Sequence, residues 1–448
     1  MSTEDAFVIK GGVPLRGEVQ LDGAKNVALK VIVAALLLDS PITFKNIPHL
    51  SDIDEQLHLM RELGAKAEFV HDHDVYVDSQ SLNSYEVDLL HGSKIRTSFM
   101  LFAPLLYRFG KAIIPNPGGC RLGARPIDRH VKLLETFGVH ISYDSSTGYY
   151  TATLKHTRLQ GAEYTFEKPS HTGTELGLMI AAIANGQSTI HNAAQEPEVD
   201  DMIRFLNDAG ARIRRQGTSI IVDGVDKLAP TAESFTIMAD RLNAAAFGVF
   251  AVATKGDITV KGLDAHYITD FTEKLIEAGG GFDAEKDALH FYYKGPLKST
   301  DITTVPHPGF NTDTQGPWAI LMTQAHGVST IHETVFENRF GYVDELRKLG
   351  AHIEFFQPQV DNPRELYQFT IHSDDEIANL QQAIRITGPS PLHNGVLHAT
   401  DIRAGASLVI AACAAEGESV ILGASHIDRG YEKIEVQLAA LGAQIKRV

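Results

Sequence analysis

The stretch LMRELGAKAEF (residues 59–69) decides how this chain folds, because its pattern comes back five times. It returns as LLETFGVHISY (133–143), FLNDAGARIRR (205–215), LIEAGGGFDAE (275–285), LRKLGAHIEFF (346–356) and LAALGAQIKRV (438–448). Each copy reads as the end of an amphipathic helix, a glycine, and then an alternating strand. A glycine just past the last helical turn takes the left-handed conformation cheaply, so the helix stops and a strand starts at once. The glycines are Gly64, Gly138, Gly210, Gly279, Gly350 and Gly442, about 70 residues apart, except that the last interval is longer by about 20.

A second series interleaves with the first: an apolar helix, a turn, and a strand rich in Thr, Val and Ile. Its members are VALKVIVAALLLDSPITF (27–44), SFMLFAPLLYRFGKAII (98–114), LGLMIAAIANGQSTIH (176–191), NAAAFGVFAVATKGDITV (243–260), WAILMTQAHGVSTIH (318–332) and ASLVIAACAAEGESVIL (406–422). A helix apolar all round belongs inside and an amphipathic one outside. The chain therefore reads as six copies of one α/β unit, each with a buried and an outer helix. Six such units are too many for one core, and three plus three in two closed domains is the economical grouping, against an open solenoid of shorter repeats. The extra length before the sixth copy reads as an insertion over Phe355–Leu397.

Composition sets the outer bounds. The 448 residues carry 40 Lys+Arg against 56 Asp+Glu, a formal charge of −16, with 44% apolar residues and two cysteines, Cys120 and Cys413. That balance is globular rather than disordered or fibrous. Two cysteines cannot build a disulfide framework, which suits a reducing compartment. The acidity argues against a nucleic-acid partner, which would need a basic surface. MSTEDAFVIK at the start lacks the features of a signal peptide, and the aliphatic run Val31–Leu38 is far below the ~20 residues that span a bilayer. A cytoplasmic protein with no membrane partner is expected.

The residues opening the six apolar helices are polar: Gly23–Asn26, Ser93–Arg96, Lys168–Thr174, Ala239–Arg241, Asn311–Asp313 and Thr400–Arg403. Helix N-termini present free N–H groups and the positive end of the dipole, so they favour anions. Asp240, Asp313 or Thr400 taken singly reads as a helix cap. Lys25, Arg96, Arg241 and Arg403 do not, because cations are disfavoured there. Together they suit an anionic ligand.

The loop PNPGGCRLGARPIDRH (115–130) stands apart. Glycines flank Cys120, and Arg121 and Arg125 favour its thiolate over a thiol of reference pKa ~8.5. Cys120 is then either an incidental loop cysteine or a nucleophile or general acid. Cys413, inside an apolar helix, reads as core. No Cys-x-x-Cys occurs, and His71 and His73 alternate along an expected strand rather than forming a known ligand set. Neither a Walker loop nor a dinucleotide fingerprint is present.

Taken together, GAKN (23–26), PGGCRLGARPID (117–128), HPGFNTDTQ (307–315), FENRF (336–340), TDIRAGASLV (400–409) and HIDRGYEKIE (426–435) resemble the bacterial UDP-N-acetylglucosamine enolpyruvyl transferases over essentially the whole chain. The resemblance implies an α/β fold of two inside-out α/β barrels, each of three βαβαββ units with buried helices. Residues 24–238 would carry the cysteine loop and UDP-binding segments. Residues 1–23 with 239–448 would carry Asp313 and Arg403, and the active site would lie in the cleft between. It implies transfer of the enolpyruvyl group of phosphoenolpyruvate to the 3′-hydroxyl of UDP-N-acetylglucosamine, releasing phosphate, as the first committed step of peptidoglycan synthesis.

Roles follow position by position from the same resemblance. Cys120 would donate a proton to the phosphoenolpyruvate methylene and could hold a covalent adduct, which fosfomycin alkylation would report. Asp313 would act as base toward the sugar hydroxyl or orient it. Lys25, Asn26, Arg125 and Arg403 would bind phosphoenolpyruvate. Arg96, Arg125, Pro126, Ile127, Asp128, Arg129, Lys168, Pro169, Ser170, His171, Asp313 and Val335 would hold the UDP-sugar. No metal and no cofactor is implied, and no oligomeric state is assigned. Lys30, Ser51, His171–Thr172–Gly173 and Asn243 depart from the family pattern, which bears on acceptor identity. A relative using a different uridine nucleotide in secondary metabolism is the alternative. The shikimate-pathway transferases lack the cysteine loop. A UDP-sugar sensor that had lost catalysis would not need both Cys120 and Asp313, and RNA-end cyclases fit neither the charge nor the motifs.

Overall fold

The computed structural model describes residues 5–118, 127–371, 373, 376 and 379–448. Cys120 and the loop around it, with Arg125 and Pro126, lie outside these. The chain divides into two compact units. One is built from residues 22–118 and 127–238, the other from 5–21 and 239–448. Each has its own apolar core.

In the first unit the helices are α1 (Lys25–Ala34), α2 (Ser51–Glu62), α3 (Leu89–Gly92), α4 (Phe102–Phe109), α5 (Asp128–Thr136), α6 (His171–Ala182) and α7 (Pro197–Asp208). A 3₁₀ turn, Arg96–Leu101, leads into α4. Helices α1, α4 and α6 are the apolar ones; α4 touches both of the others, and nine of the ten residues of α1 are buried. Helices α2, α5 and α7 bury one stripe only: in α7 it is Val199, Met202, Phe205 and Leu206, spaced three and four apart as a one-sided helix demands. Phe205 meets Phe44 and Phe235 with ring centroids 5.2 Å from each. A buried phenyl contributes about 1.5–3 kcal/mol, so such clusters hold α7 to the sheet.

The sheets repeat one topology. Glu163–Thr165 runs parallel to Gln187–His191, which is antiparallel to Ser219–Asp223, which pairs with Arg212–Gln216. In chain order this is βαβαββ. The first sheet obtains its opening strand from the end of the unit: Ser234–Thr236 lies parallel to Ile42–Lys45. In the second sheet that strand shrinks to one bridge, Glu86 to Ile113, leaving three strands.

The second unit repeats the plan with α8 (Arg241–Ala253), α9 (Thr269–Glu277), α10 (Gln315–Thr323), α11 (Val343–Lys348), α12 (Pro363–Leu366), α13 (Ile402–Ala414), α14 (Ala424–Ile427) and α15 (Ile434–Ala440). Helices α8, α10 and α13 pack on one another. The N-terminal segment completes two of its sheets. Arg16–Gln20 pairs with Asp257–Lys261, and Ala6–Lys10 sits between Glu418–Leu422 and Gln444–Arg447. Among the described residues six sheets thus stand where six repeats were expected. Among the described residues no helix is long and apolar enough to cross a membrane.

Three expectations need correction. The segment Phe355–Leu397 is not wholly an insertion: Ala383–Gly388 is an inner strand of its four-stranded sheet and Val396–His398 opens the next one. Only 356–382 is extra, an enlarged hairpin connection carrying α12 and a small cluster of Tyr367, Phe369 and Ile371. His71 ends a strand while His73 lies in the turn after it. Thr400 caps nothing, because the neighbouring Asp401 accepts from the Arg403 and Ala404 amides at 2.9 and 3.0 Å.

All six repeat glycines adopt φ between 85° and 96°. A side chain at Gly442 would meet no atom within 4 Å, so Gly442→Ala should cost only the left-handed backbone penalty of about 1–2 kcal/mol. At Gly64 the new Cβ would also stand 2.7 Å from the Ser81 carbonyl oxygen, so Gly64→Ala should cost more. Urea unfolding of the two variants checks the order; the reverse order would contradict this geometry.

Candidate active site

Each unit gathers a charged cluster at the starts of its buried helices. In the first unit, Lys25 opens α1, and its Nζ lies 2.7 Å from Asp52 Oδ2 in the first turn of α2. Asn26 follows it, half-buried. The preceding glycine is fixed by close approach: a Cβ on Gly23 would fall 1.8 Å from the Asn46 carbonyl oxygen.

One turn into α1, Lys30 is 3% exposed and its Nζ lies 2.7 Å from Glu175 Oε2 of α6, itself fully buried. His171, the first residue of α6, joins them: Nε2 is 3.1 Å from Lys30 Nζ and 3.4 Å from Glu175 Oε1. Burial opposes the imidazolium, but the Glu175 carboxylate outweighs it and holds the His171 pKa above its ordinary value, while Lys30 pulls it down. Ser170 caps the helix, its Oγ accepting from the Gly173 amide at 3.2 Å. Thr172 Oγ1 lies 2.9 Å from His130 Nε2 on α5.

Beside this cluster, Ile127 is buried ahead of α5, and Asp128 and Arg129 form its first turn. Burial disfavours the charged forms of both Arg129 and Lys168. Lys168 is further destabilised by the Arg129 guanidinium, with Glu167 a partial offset. Pro169 stands between Lys168 and the Ser170 cap, and Arg96 is half-buried at the start of its 3₁₀ turn. Arg129 and Lys168 are held together against their mutual repulsion, the condition under which an incoming anion is stabilised.

In the second unit the centre is Asp313. Its Oδ1 pairs with Arg339 Nη2, and its Oδ2 accepts from Arg403 Nε at 3.1 Å. Arg403 also donates to the Tyr431 hydroxyl at 3.2 Å. Burial would raise the Asp313 pKa, but Arg403, then Arg339 and Arg241, bring it down to about 2. Asp313 is therefore no cap; the cap of its turn is Asn311, whose Oδ1 accepts from the Asp313 amide at 2.7 Å. Asp240 does cap α8, accepting from the Leu242 and Asn243 amides at 2.9 and 3.1 Å. Arg241 is 3% exposed, with Asp270 as a carboxylate neighbour.

A buried carboxylate supports this centre from behind. Glu333 accepts from Thr312 Oγ1 at 2.8 Å and from the Val335 and Phe336 amides at 2.7 and 3.1 Å. It therefore ties Val335 to the turn that carries Asp313. Arg339 is anchored in turn by Gln315, which donates to its carbonyl at 3.1 Å and accepts from Tyr342 at 2.6 Å. Cys413 is buried in α13, its thiol pushed up to about 12 by burial, which leaves it chemically inert.

The structure thus brings Lys25 with Asn26; His171, Ser170, Pro169 and Lys168 with Arg129; and Asp313, Arg403 and Val335, each group within one unit. Cys120, Arg125 and Pro126 lie outside the described residues. Sequence reasoning passed over Arg339, Tyr431, Lys30 and Glu175 as members of these clusters. The first two sit inside FENRF and HIDRGYE, the motifs that carry the resemblance, and Glu175 is one helical turn beyond His171.

Two stability effects follow. Lys30→Met alone leaves Glu175 buried with only His171 to balance it, and losing a buried partner costs about 3–5 kcal/mol. Imidazolium can stand in below its folded-state pKa, so the loss should be smaller at pH 6 than at pH 9. Lys30→Met with Glu175→Leu should be near neutral at both, read by urea unfolding. The depressed Asp313 pKa contributes about 2 kcal/mol above the unfolded-state value of 3.8, lost as pH falls toward 2. Asp313→Asn should flatten the stability–pH curve in that acid window, and an unchanged slope would refute the pairing.

The sequence profile of the EPSP synthase (3-phosphoshikimate 1-carboxyvinyltransferase) family matches residues 9–438. UDP-N-acetylglucosamine 1-carboxyvinyltransferase 3 of Caldanaerobacter subterraneus is 40% identical over 446 residues, 99% of each chain. The UDP-N-acetylglucosamine 1-carboxyvinyltransferase of Idiomarina loihiensis is 39% identical, again over 99% of each. Among solved structures, the enolpyruvyl transferase NikO from Streptomyces tendae superposes with a TM-score of 0.85 at 24% identity, covering 99% of both chains. An EPSP synthase from Acinetobacter baumannii does so with 0.74 at 18% identity, over 99% of this chain and 100% of its own. The sixfold α/β architecture is theirs as well, and the chain belongs to the enolpyruvyl transferase family, among the UDP-N-acetylglucosamine 1-carboxyvinyltransferases.

Proposed function

We propose that this transferase moves the enolpyruvyl group of phosphoenolpyruvate to the 3′-hydroxyl of UDP-N-acetylglucosamine and releases phosphate, in the cytoplasm, at the entry to peptidoglycan synthesis. Full-length relatives named for that activity support the reading. The observation that carries it is the convergence of Arg403, Arg339 and Arg241 on the single carboxylate of Asp313. Such an excess of cations suits a small, highly charged anion.

The chemistry is addition followed by elimination. In the addition, Cys120 gives a proton to the methylene carbon while the sugar oxygen bonds to C2, and Asp313 receives or orients the hydroxyl proton. In the elimination, the methyl carbon returns a proton to the Cys120 thiolate and the C2–O bond to phosphate breaks, the phosphate leaving with the proton that Asp313 received. Lys25, Asn26, Arg125 and Arg403 hold the phosphate and carboxylate, balancing charge as it shifts. A carboxylate with a pKa of about 2 is a weak base. An incoming phosphoenolpyruvate carboxylate would compete for Arg403 and Arg339, loosening their hold on Asp313 and restoring its basicity as the substrate arrives. Arg96, Arg125 to Arg129, Lys168 to His171, Asp313 and Val335 hold the UDP-sugar. No metal or organic cofactor enters this scheme.

One observation favours a second acceptor: His171 with its buried Lys30–Glu175 pair occupies the segment assigned to the nucleotide, so a different uridine nucleotide is the competing reading. Phosphate release from phosphoenolpyruvate should be stimulated by UDP-N-acetylglucosamine and not by UMP or shikimate 3-phosphate; stimulation by UMP alone would replace the first reading with the second. In the same assay Cys120→Ser should lower turnover by about 10²–10⁴-fold and Cys413→Ser should leave it unchanged. Fosfomycin should alkylate Cys120, visible as a mass increase on its peptide.

A further inference from the structure

We propose that His58, Glu62 and His91 form a zinc-ion site where α2 meets α3, separate from the clusters described above and independent of the transfer reaction. Glu55, His58 and Glu62 fall three and four apart along α2, so they share one helix face. His91 comes from α3, which packs against that helix. One donor atom from each of His58, Glu62 and His91 lies within 4.8 Å of the others.

The strongest single observation is at His58. Its Nε2 lies 3.1 Å from Glu62 Oε1, yet it is buried and has no hydrogen-bond partner among the described residues. A buried, unsatisfied ring nitrogen beside a carboxylate calls for an explanation. Two ligands bound at about 2.0–2.2 Å to one tetrahedral zinc ion stand about 3.4 Å apart. The His58–Glu62 spacing is therefore close to the bite of a shared ion, in an alignment that suits no hydrogen bond.

His91 is prepared for the same task. Its Nδ1 pairs with Glu55 Oε1, and the two imidazole centroids of His58 and His91 are 4.1 Å apart at 50°. A carboxylate behind a ligating histidine fixes ring orientation and tautomer and raises ligand basicity. Lys94 Nζ sits 3.2 Å from both Glu55 Oε1 and His91 Nδ1, so the Glu55 charge is already balanced and Glu62 supplies the charge facing the ion. Two histidines and one glutamate are a recognised zinc set that keeps a fourth position for water. The side chains of His58, Glu62 and His91 are 38%, 40% and 26% exposed, so an ion can enter without unfolding. A bound ion would clamp the short α3, and with it the segment leading to Arg96, onto α2.

The test is calorimetric titration of the tag-free full chain with ZnCl₂, together with the cobalt(II) absorption spectrum. Wild type should bind one equivalent at this site, and His58→Gln and His91→Gln should each weaken it by at least ~10-fold. Glu55→Gln should weaken it by about 10–100-fold by loosening the hold of Glu55 on the His91 ring. Cobalt should give a tetrahedral spectrum without a thiolate charge-transfer band, which needs no variant to fold. Binding that survives in His58→Gln/His91→Gln but vanishes in Cys120→Ser would overturn the proposal, as would a wild-type chain that takes up no zinc at 100 µM.

Discussion

Asp313 is outnumbered by its cations, and much of the second unit is arranged around that imbalance. Three guanidinium groups reach it from three places: the start of α8, the loop after Gly327–His332, and the start of α13. A buried carboxylate among so many cations stays ionised, and buried cations need a carboxylate among them. The apolar helices behind could pack in several registers as far as hydrophobic burial is concerned, because that force is non-directional. Pairing charges at their ends selects one. The first unit repeats the device with Lys25 against Asp52 and Lys30 against Glu175.

The opposite sign of the whole molecule is compatible with this. A formal charge of −16 is spread over exposed side chains, whereas the cations discussed here are concentrated at helix starts. At physiological ionic strength the field of exposed charges decays within about 8 Å, so a sheltered cluster feels its own neighbours more than the average. Lys168 and Arg129 illustrate it: each is uncomfortable where it is, for reasons of burial and proximity.

Much of the architecture was legible in the sequence because it is written locally and six times. A glycine after a helix and alternation after the glycine need no knowledge of the rest of the chain, and Gly64 through Gly442 adopt one common conformation. Motif resemblance pointed to Lys25, Asp313 and Arg403, which lie at helix starts in ion pairs, Lys25 with Asp52 and Asp313 with Arg403. What escaped was written between distant segments. Glu175 meets Lys30 across 145 positions, and Tyr431 meets Arg403 across 28, separations along which no periodicity reports. The strand AIRITG at 383–388 was hidden by the Pro- and Asn-rich segments on either side, although its own alternation is plain once its partners are seen. The Glu55–His58–Glu62–His91 group needed both a helix face and the return of a later helix to it.

The placement of Ala6–Lys10 between Glu418–Leu422 and Gln444–Arg447 sets an order of events at the ribosome. Some four hundred residues separate this strand from both partners, and at roughly 5–20 residues per second it waits on the order of 20–80 seconds for them. The unit spanning 22–238 is complete in sequence long before then and can close first. Throughout that interval AFVIK has neither neighbour, a short apolar edge in a chain still being made. Maturation of the second unit is therefore gated by translation of Glu418–Leu422 and Gln444–Arg447, and a pause before them leaves Ala6–Lys10 unpaired.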